Sequence, residues 1–563
     1  MLGKALTTAA AGAAGAAGAY IEDVFSTWLY DGNGGTQTIT NDIDLNGEGG
    51  LVWIKRRDST ASHSLQDTAR GTGKTLASDT DAKEASTGTR ITSFNSDGFT
   101  LGTSGFTNNS SANYASWTFR KAEKFFDVVT FTVGATPSTN MRISHNLGSI
   151  PGCIMVKRLN SAQSWYVYHR HLGRNAFAYL DWDFAFNTSQ AWWGSSDPTA
   201  SDFGFNADQF SAANGDYVAY IFAHDAGGFG DNGTENVITC GGGTATGTGA
   251  MPTVNLGWEP QWVLVRGNSR SWFMSDTMRG LDHGSDITLY ADTDSAEISS
   301  DYIGPTATGF TGAGNFLAAN QDFIYIAIRR GPMKTPTDAT TVFDADLQTG
   351  GGFVTTNFPV DLNISKRPGF ATSSYVFDKL RGGVILDATS TDAEGTTSYA
   401  KFDYQTGFED DFWGSAQSTV YWSFRRAPGF FDVVTYTGTG SSTTVSHNLG
   451  VAPELLIIKN RNQANQWAVG SEVLTDWTKY MQLNTNAGES TLANVFNSTA
   501  PTSTVFSVGN SPYVNLLSNT YIAYLFATLP GISKVGSYIG SGSSNNIDCG
   551  FSAGARFVMI KRY

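Results

Sequence analysis

Short apolar runs ending in a basic residue recur along the chain: Leu51-Val-Trp-Ile-Lys55, Ile154-Met-Val-Lys157, Val263-Leu-Val-Arg266, Leu456-Ile-Ile-Lys459 and Val558-Met-Ile-Lys561. A second run closes each period: Tyr114-Ala-Ser-Trp-Thr-Phe119, Tyr217-Val-Ala-Tyr-Ile-Phe222, Phe323-Ile-Tyr-Ile-Ala-Ile328, Thr419-Val-Tyr-Trp-Ser-Phe424 and Tyr521-Ile-Ala-Tyr-Leu-Phe526. Equivalent positions Trp117, Tyr220, Ile326, Trp422 and Tyr524 lie 103, 106, 96 and 102 residues apart. Periods open on alternating runs such as Asp127-Val-Val-Thr-Phe-Thr132 and Asp432-Val-Val-Thr-Tyr-Thr437. Alternation at period two marks a strand with one buried face. Next come a Gly/Ser/Thr turn, the motif Ser144-His-Asn-Leu-Gly148 or Ser446-His-Asn-Leu-Gly450, and Pro151 or Pro453. An Asp-x-x-Arg-Gly turn follows in three periods, from Asp67, Asp276 and Asp378, and further strands begin at Gly98-Phe99, Gly204-Phe205, Gly309-Phe310 and Gly407-Phe408. No helical period is sustained beyond residue 25. Short strands punctuated by glycine predict an all-β protein of tandem antiparallel β-sandwich units of about 100 residues.

A longer repeat is superimposed. Residues from Trp117 to Phe131 match Trp422 to Tyr436 at an offset of 305, and Ser144 matches Ser446 at 302. Repeats of this kind organise the whole chain. They place units at 25–125, 126–225, 226–331, 332–429 and 430–529, grouped as three units and then a second, incomplete three. Residues 530–563 read as the start of a sixth unit, ending in the strand before Tyr563. A unit that stops in its first buried strand leaves an open edge, so either a longer chain or another chain is expected to complete it. Unit 4 departs from the pattern, with Ile364-Ser-Lys-Arg-Pro-Gly-Phe370 in place of the usual strand. Phe125-Phe126-Asp127 and Phe430-Phe431-Asp432 run from one unit straight into the next, which predicts a stiff rod or compact stack.

Residues 1–24 differ. They are nearly all Ala and Gly to position 19, with Leu2 and Leu6 the only large aliphatics before Tyr20. That is too weakly apolar for a secretory signal or a membrane span. A segment with so little side chain orders when packed against other subunits, which makes Leu2, Leu6 and Tyr20 candidate anchoring residues.

Composition narrows the function. The net charge of −14 opposes nucleic acid, which demands basic stripes, and anionic membrane surfaces. Three scattered cysteines, Cys153, Cys240 and Cys549, give neither a disulfide framework nor metal-ligand spacing. Arg70-Gly-Thr-Gly-Lys-Thr75 has the ending of a phosphate loop but lacks its upstream glycine and its following helix. Its Arg70 belongs to the recurring Asp-x-x-Arg turn, read as a structural ion pair. His145 and His447 read as hydrogen-bonding turn residues. His169 and His171 share a strand face without a third ligand. The acidic run Glu409-Asp410-Asp411 is the one candidate for glycosidic chemistry, which needs two carboxylates at a set separation; a solvated loop is the simpler reading. Trp165, Trp192, Trp193 and Trp272 are candidate glycan contacts, weighed against the usual place of Trp in a sandwich core. No catalytic residue, metal or cofactor is expected.

The opening run Phe-Phe-Asp-Val-Val-Thr-Tyr-Thr-Gly, the Ser-His-Asn-Leu-Gly motif and the Pro-led strand ending in Lys resemble repeat-bearing, tail-fibre-like structural proteins of tailed bacteriophages, especially marine ones. The resemblance runs from about residue 25 to the end of the chain. It implies a virion protein located in the tail: a tail fibre anchored by its N-terminus, self-associating as a homotrimer, contacting other virion proteins and a host surface glycan or protein. Weak contacts from several copies would then sum to tight attachment. Rival readings are a capsid or tail-wall component, a glycan-degrading tailspike and a bacterial surface adhesin.

Overall fold

A computed structural model describes residues 19–282, 286–300, 302–312, 314, 316–414 and 417–563. The fold is all-β. In unit 1 the main antiparallel sheet runs in the order Phe25–Asp31, Asn113–Arg120, Gly50–Arg56, Ser64–Asp67. The closing strand therefore lies at the centre, between the opening strand and the basic-ended strand. Units 2 to 5 repeat this order. The register repeats as well: Trp53 faces Trp117, and Met155–Tyr220, Leu264–Ile326, Ile364–Trp422 and Ile457–Tyr524 are the equivalent pairs. A smaller sheet packs on one side; in unit 1 it joins Gln37–Thr40, Gly98–Leu101 and Ile91–Asn95. Each unit is thus an antiparallel β-sandwich.

The uninterrupted apolar runs have a direct cause. Strands read as continuous apolar stretches when both faces are covered, and here the main sheet is a middle layer. Val52 and Ile54 point into the sandwich core with Ile39, Phe99 and Tyr114. Leu51 and Trp53 point the other way, into a second core shared by units 1, 2 and 3. Unit 3 divides in the same manner, with Val263 and Val265 inside its sandwich and Trp262 and Leu264 in the shared core. At the centre of that core Phe119 meets Phe25, Phe126, Phe222 and Trp262 at ring-centroid distances of 5.0, 5.6, 5.6 and 5.7 Å. These residues come from three units. Each fully buried large apolar side chain contributes about 1.5–3 kcal/mol, so the three-unit group is one integrated body. Units 4 and 5 share a corresponding core around Phe343, Phe424, Phe431 and Tyr524.

Two expectations are corrected. Unit 4 has the usual strand after all: Leu362–Lys366 pairs with both the closing strand and the following strand, and Lys366 ends it at the standard basic position. Its inward positions are Asn363 and Ser365, both fully buried. Asn363 Nδ2 donates to Ser423 Oγ at 3.1 Å, and Ser365 Oγ accepts from Trp413 Nε1 at 2.9 Å. Buried polar groups paired in this way are tolerated, and they hid the strand from an apolar pattern. Conversely, the run Val558 to Lys561 forms no strand, and none forms from Lys534 onward. In every complete unit the closing strand separates the opening and basic-ended strands. Residues 534–563 supply counterparts of both flanks and nothing to lie between them.

Candidate functional site: the joints between units

Three sets of polar contacts close units 1, 2 and 3 into a ring. The basic residue ending each main strand reaches the neighbouring unit's backbone. Lys55 of unit 1 donates to Asp294 O of unit 3 at 3.2 Å; Lys157 of unit 2 donates to Asp81 O of unit 1 at 3.0 Å; Arg266 of unit 3 donates to Tyr179 O of unit 2 at 2.8 Å. Burial pulls the Lys55 and Lys157 ammonium groups down to about 8 and the Arg266 guanidinium down to about 10. Carbonyl acceptors therefore face each cation in place of water.

The second set uses the Asp-x-x-Arg turn. Asp67–Arg70 and Asp276–Arg279 are buried ion pairs at 2.6 and 2.7 Å. Each accepts a side chain from the middle of another unit's closing strand. Tyr220 OH donates to Asp67 Oδ2 at 2.8 Å, and Trp117 Nε1 donates to Asp276 Oδ2 at 3.0 Å. Unit 2 carries His169 at this place, and its Nε2–H donates to Tyr325 O of unit 3 at 3.1 Å. The third set lies six to eight residues after the basic residue. Trp165 Nε1 donates to Ala77 O at 2.8 Å and Trp272 Nε1 to Tyr179 O at 2.7 Å. Unit 1 has His63 there, with Nε2–H donating to Tyr290 O at 3.0 Å while Nδ1 accepts from Trp53 Nε1 at 2.8 Å. Burial pushes His63 and His169 down to about 3, so both are neutral at pH 7.

The second group repeats half of this scheme. Lys459 of unit 5 donates to Thr391 O of unit 4 at 2.9 Å, Tyr524 OH to Asp378 Oδ2 at 2.6 Å, and Trp467 Nε1 to Asp387 O at 3.0 Å. Asp378 pairs with Arg381 at 2.5 Å. Buried charges also lock the groups together. Glu259 of unit 3 meets Arg426 at 2.9 Å and Arg330 at 3.2 Å, and Arg330 reaches Asp432 at 3.2 Å. On the unit 1 side Arg57 contacts Asp403 at 3.1 Å. A cavity of about 480 Å³ lies at this junction, lined in part by Glu259, Arg329, Arg330, Phe431 and Asn448. Its Arg329 pairs with Glu235, so its cations are already matched by carboxylates.

The residues singled out in the sequence are placed as follows. Trp165, Trp193 and Trp272 are fully buried, each with its indole N–H on a backbone carbonyl. Their rings therefore present no face to a sugar, and Trp192 is only partly exposed, packed edge-on to Phe177 at 4.7 Å. Leu2 and Leu6 lie outside the described residues. Tyr20 is used within the chain: its hydroxyl donates to Asp231 Oδ1 at 2.5 Å, and Lys334 Nζ lies 5.0 Å from its ring centroid. Ile21 and Val24 beside it are buried in the shared core, so the end of the expected anchor segment belongs to the first ring.

The remaining motifs are structural in geometry. His145 and His447 accept the N–H of Leu147 and Leu449 through Nδ1, while Asp127 and Asp432 accept the N–H of Asn146 and Asn448. His169 Nδ1 accepts the His171 N–H, and no group of three or more candidate metal ligands occurs among the described residues. Within the acidic run, Asp410 is buried against Tyr421 OH at 2.7 Å, whereas Glu409 and Asp411 pair with Lys401 at 2.9 and 3.2 Å. Sequence reading missed His63 and the central aromatics as joint residues. The available signal was position: His63, Trp165, Trp272 and Trp467 occupy one place in the repeat.

No curated protein matches the chain. A family model described as a domain of unknown function, DUF7483, matches residues 21–332 and 411–563. The first span is the closed three-unit ring; the second resumes within unit 4, beyond the strand whose inward face is polar. The chain belongs to the DUF7483 family.

Proposed function

We propose that this chain is a structural protein of a tailed-bacteriophage particle, serving as a section of tail fibre with no catalytic role of its own. The observation that carries the reading is the closed ring of three units around one aromatic core, followed in the same chain by a second group locked to it by buried ion pairs. Such a body transmits force without hinges, because each joint buries charge and aromatic surface that separation would expose to water or leave unpaired. Threefold order, which the resemblance to tail fibres implied would come from a homotrimer, arises in this reading from three units of one chain. Self-association then adds further rings along the fibre, and host contact falls to exposed loops rather than to the buried tryptophans.

Cryo-electron microscopy of the particle carrying this chain tests the proposal. Rings projecting from the tail, with residues 1–18 held among tail subunits, are the expected result. Rings lying flat in the shell or tail wall would overturn the fibre reading in favour of a cement protein.

A further inference from the structure

Trp182 is the only exposed tryptophan among the described residues, at 46%, and Phe184 beside it is 56% exposed. Their rings stack on each other with centroids 5.1 Å apart and planes 6° from parallel. Single apolar side chains left in water need no explanation, but a stacked pair held outward on a fixed loop does. The loop of residues 181–187 is tied down along its length. Asp181 Oδ1 accepts the Trp165 N–H at 3.0 Å, Asn268 Oδ1 of unit 3 accepts the Phe186 N–H at 2.8 Å, and Phe184 O accepts from Arg266 Nη2. The joint between units 2 and 3 thus presents the two rings instead of burying them.

Between those two rings in the chain, Asp183 lines a cavity of about 370 Å³ whose other walls belong to unit 3. Small-ligand sites span about 300–1,000 Å³ and combine aromatic walls with a few polar groups. Here Phe273 meets Tyr302 at 5.0 Å and Phe316 at 4.8 Å, which makes one wall aromatic and rigid. Arg270 lines the same cavity from the turn after Gly267, where its carbonyl accepts from Arg266 Nε at 3.1 Å. Asp183 and Arg270 are both exposed, and neither forms an ion pair among the described residues. One carboxylate and one guanidinium therefore line a single cavity without neutralising each other by contact.

We propose that this loop and cavity bind a neutral oligosaccharide. A pyranose ring has an apolar face of C–H groups that packs on an aromatic ring, and a rim of hydroxyls that both donate and accept. Trp182 and Phe184 supply the aromatic surface. Asp183 accepts from hydroxyls in the cavity and Arg270 donates to them. Trp182 and Phe184 do not themselves line the cavity, so the ligand has more than one sugar: one covers the stacked pair and the next enters the cavity. The two opposite charges leave the cavity neutral, and the net charge of −14 repels polyanions, which selects an uncharged sugar. Two exposed rings make too small a patch for a protein partner, whose interface covers about 800 Å² per side. The inference stands on this geometry and not on the virion reading.

The test applies the full chain to an array of neutral hexose and N-acetylhexosamine oligosaccharides, beside acidic ones carrying uronic or sialic acid. The expected result is saturable binding of at least one neutral oligosaccharide, reproduced by titration calorimetry with that sugar in solution. Trp182→Ala and Arg270→Ala should each weaken it about tenfold or more, the worth of one stacking contact or one charged hydrogen bond. Because both residues are exposed, neither substitution moves the thermal transition of the ring. Binding that survives both substitutions at wild-type strength lies elsewhere and would overturn the proposal. Binding confined to acidic sugars would overturn it too, as would failure to bind any neutral oligosaccharide. None of these outcomes bears on the virion reading, which microscopy of the particle decides.

Discussion

Trp262 offers the sharpest test of whether the first three units behave as one body. It is fully buried, belongs to unit 3, and lies against Phe25 and Phe119 of unit 1. Its indole N–H is buried without an acceptor among the described residues. Truncating a buried Trp to Ala costs about 3–5 kcal/mol through lost transfer energy and the cavity left behind. At roughly 2 °C per kcal/mol for a large cooperative block, the midpoint falls by about 6–10 °C. Trp262→Phe should be far milder, within about 1 kcal/mol. Phenylalanine already fills the equivalent place as Phe557, and the change removes a polar group whose burial is unfavourable. Differential scanning calorimetry with hydrogen exchange reads both effects. In Trp262→Ala, strands of units 1, 2 and 3 should lose protection together. If only unit 3 responds while units 1 and 2 keep wild-type protection, the ring is three beads in contact and the argument for one cooperative core fails. Equal costs for the Phe and Ala variants would refute the packing argument separately.

Acid should open the first ring before the second group. His63 and His169 have folded-state values near 3, well below the usual 6.5. Between those limits the unfolded chain binds a proton that the folded chain refuses. Stability is therefore fully present above about 6.5 and falls by about 1.4 kcal/mol per pH unit for each histidine as pH drops toward 3. Lys55 and Arg279 beside His63, and Arg170, His171 and His224 beside His169, oppose protonation, while Asp79, which accepts the His63 backbone N–H at 3.0 Å, is the carboxylate at the first site. Unit 5 carries Trp467 and Ser471 at the places equivalent to these histidines, and unit 4 carries Ser374 and Asp378. Hydrogen exchange at pH 4.5 should thus show loss of protection at units 1–3 first, and simultaneous loss in both groups would contradict the assignment. Asp378→Asn should cost about 3 kcal/mol, because it removes the nearer of the two carboxylates, Asp378 and Glu394, that pair with buried Arg381; a urea titration showing a change below about 1 kcal/mol would mean the pair is not structural.

Some local features were legible because their causes lie within a few residues. Asp67, Asp276 and Asp378 stand three residues before the arginines they pair with, so the turn could be read as an ion pair from spacing alone. What those pairs receive could not be read. Trp117 is 159 residues from Asp276, and Lys55 is 239 from Asp294. The tryptophans proposed as glycan contacts show the same limit. An indole suits a sugar face or a core equally well, and for Trp165 and Trp272 only the neighbouring unit's carbonyl decides which. The polar inward face at Asn363 and Ser365 hid a strand because the pattern registers side-chain polarity, whereas pairing is made by the backbone and the buried partners.

The sequence by itself determined the all-β class, the repeat, the strand-ending cations and the Asp-x-x-Arg turns. Each of these follows from alternation, spacing or local charge. Only the tertiary structure decided that the main sheet is buried on both faces, that units 1, 2 and 3 close on one another, and that Phe557 and Lys561 touch units 4 and 5 while their segment forms no strand. An apolar run records that a strand is covered and says nothing of what covers it. Ring closure depends on residues brought together from hundreds of positions apart, where shape and partner geometry decide.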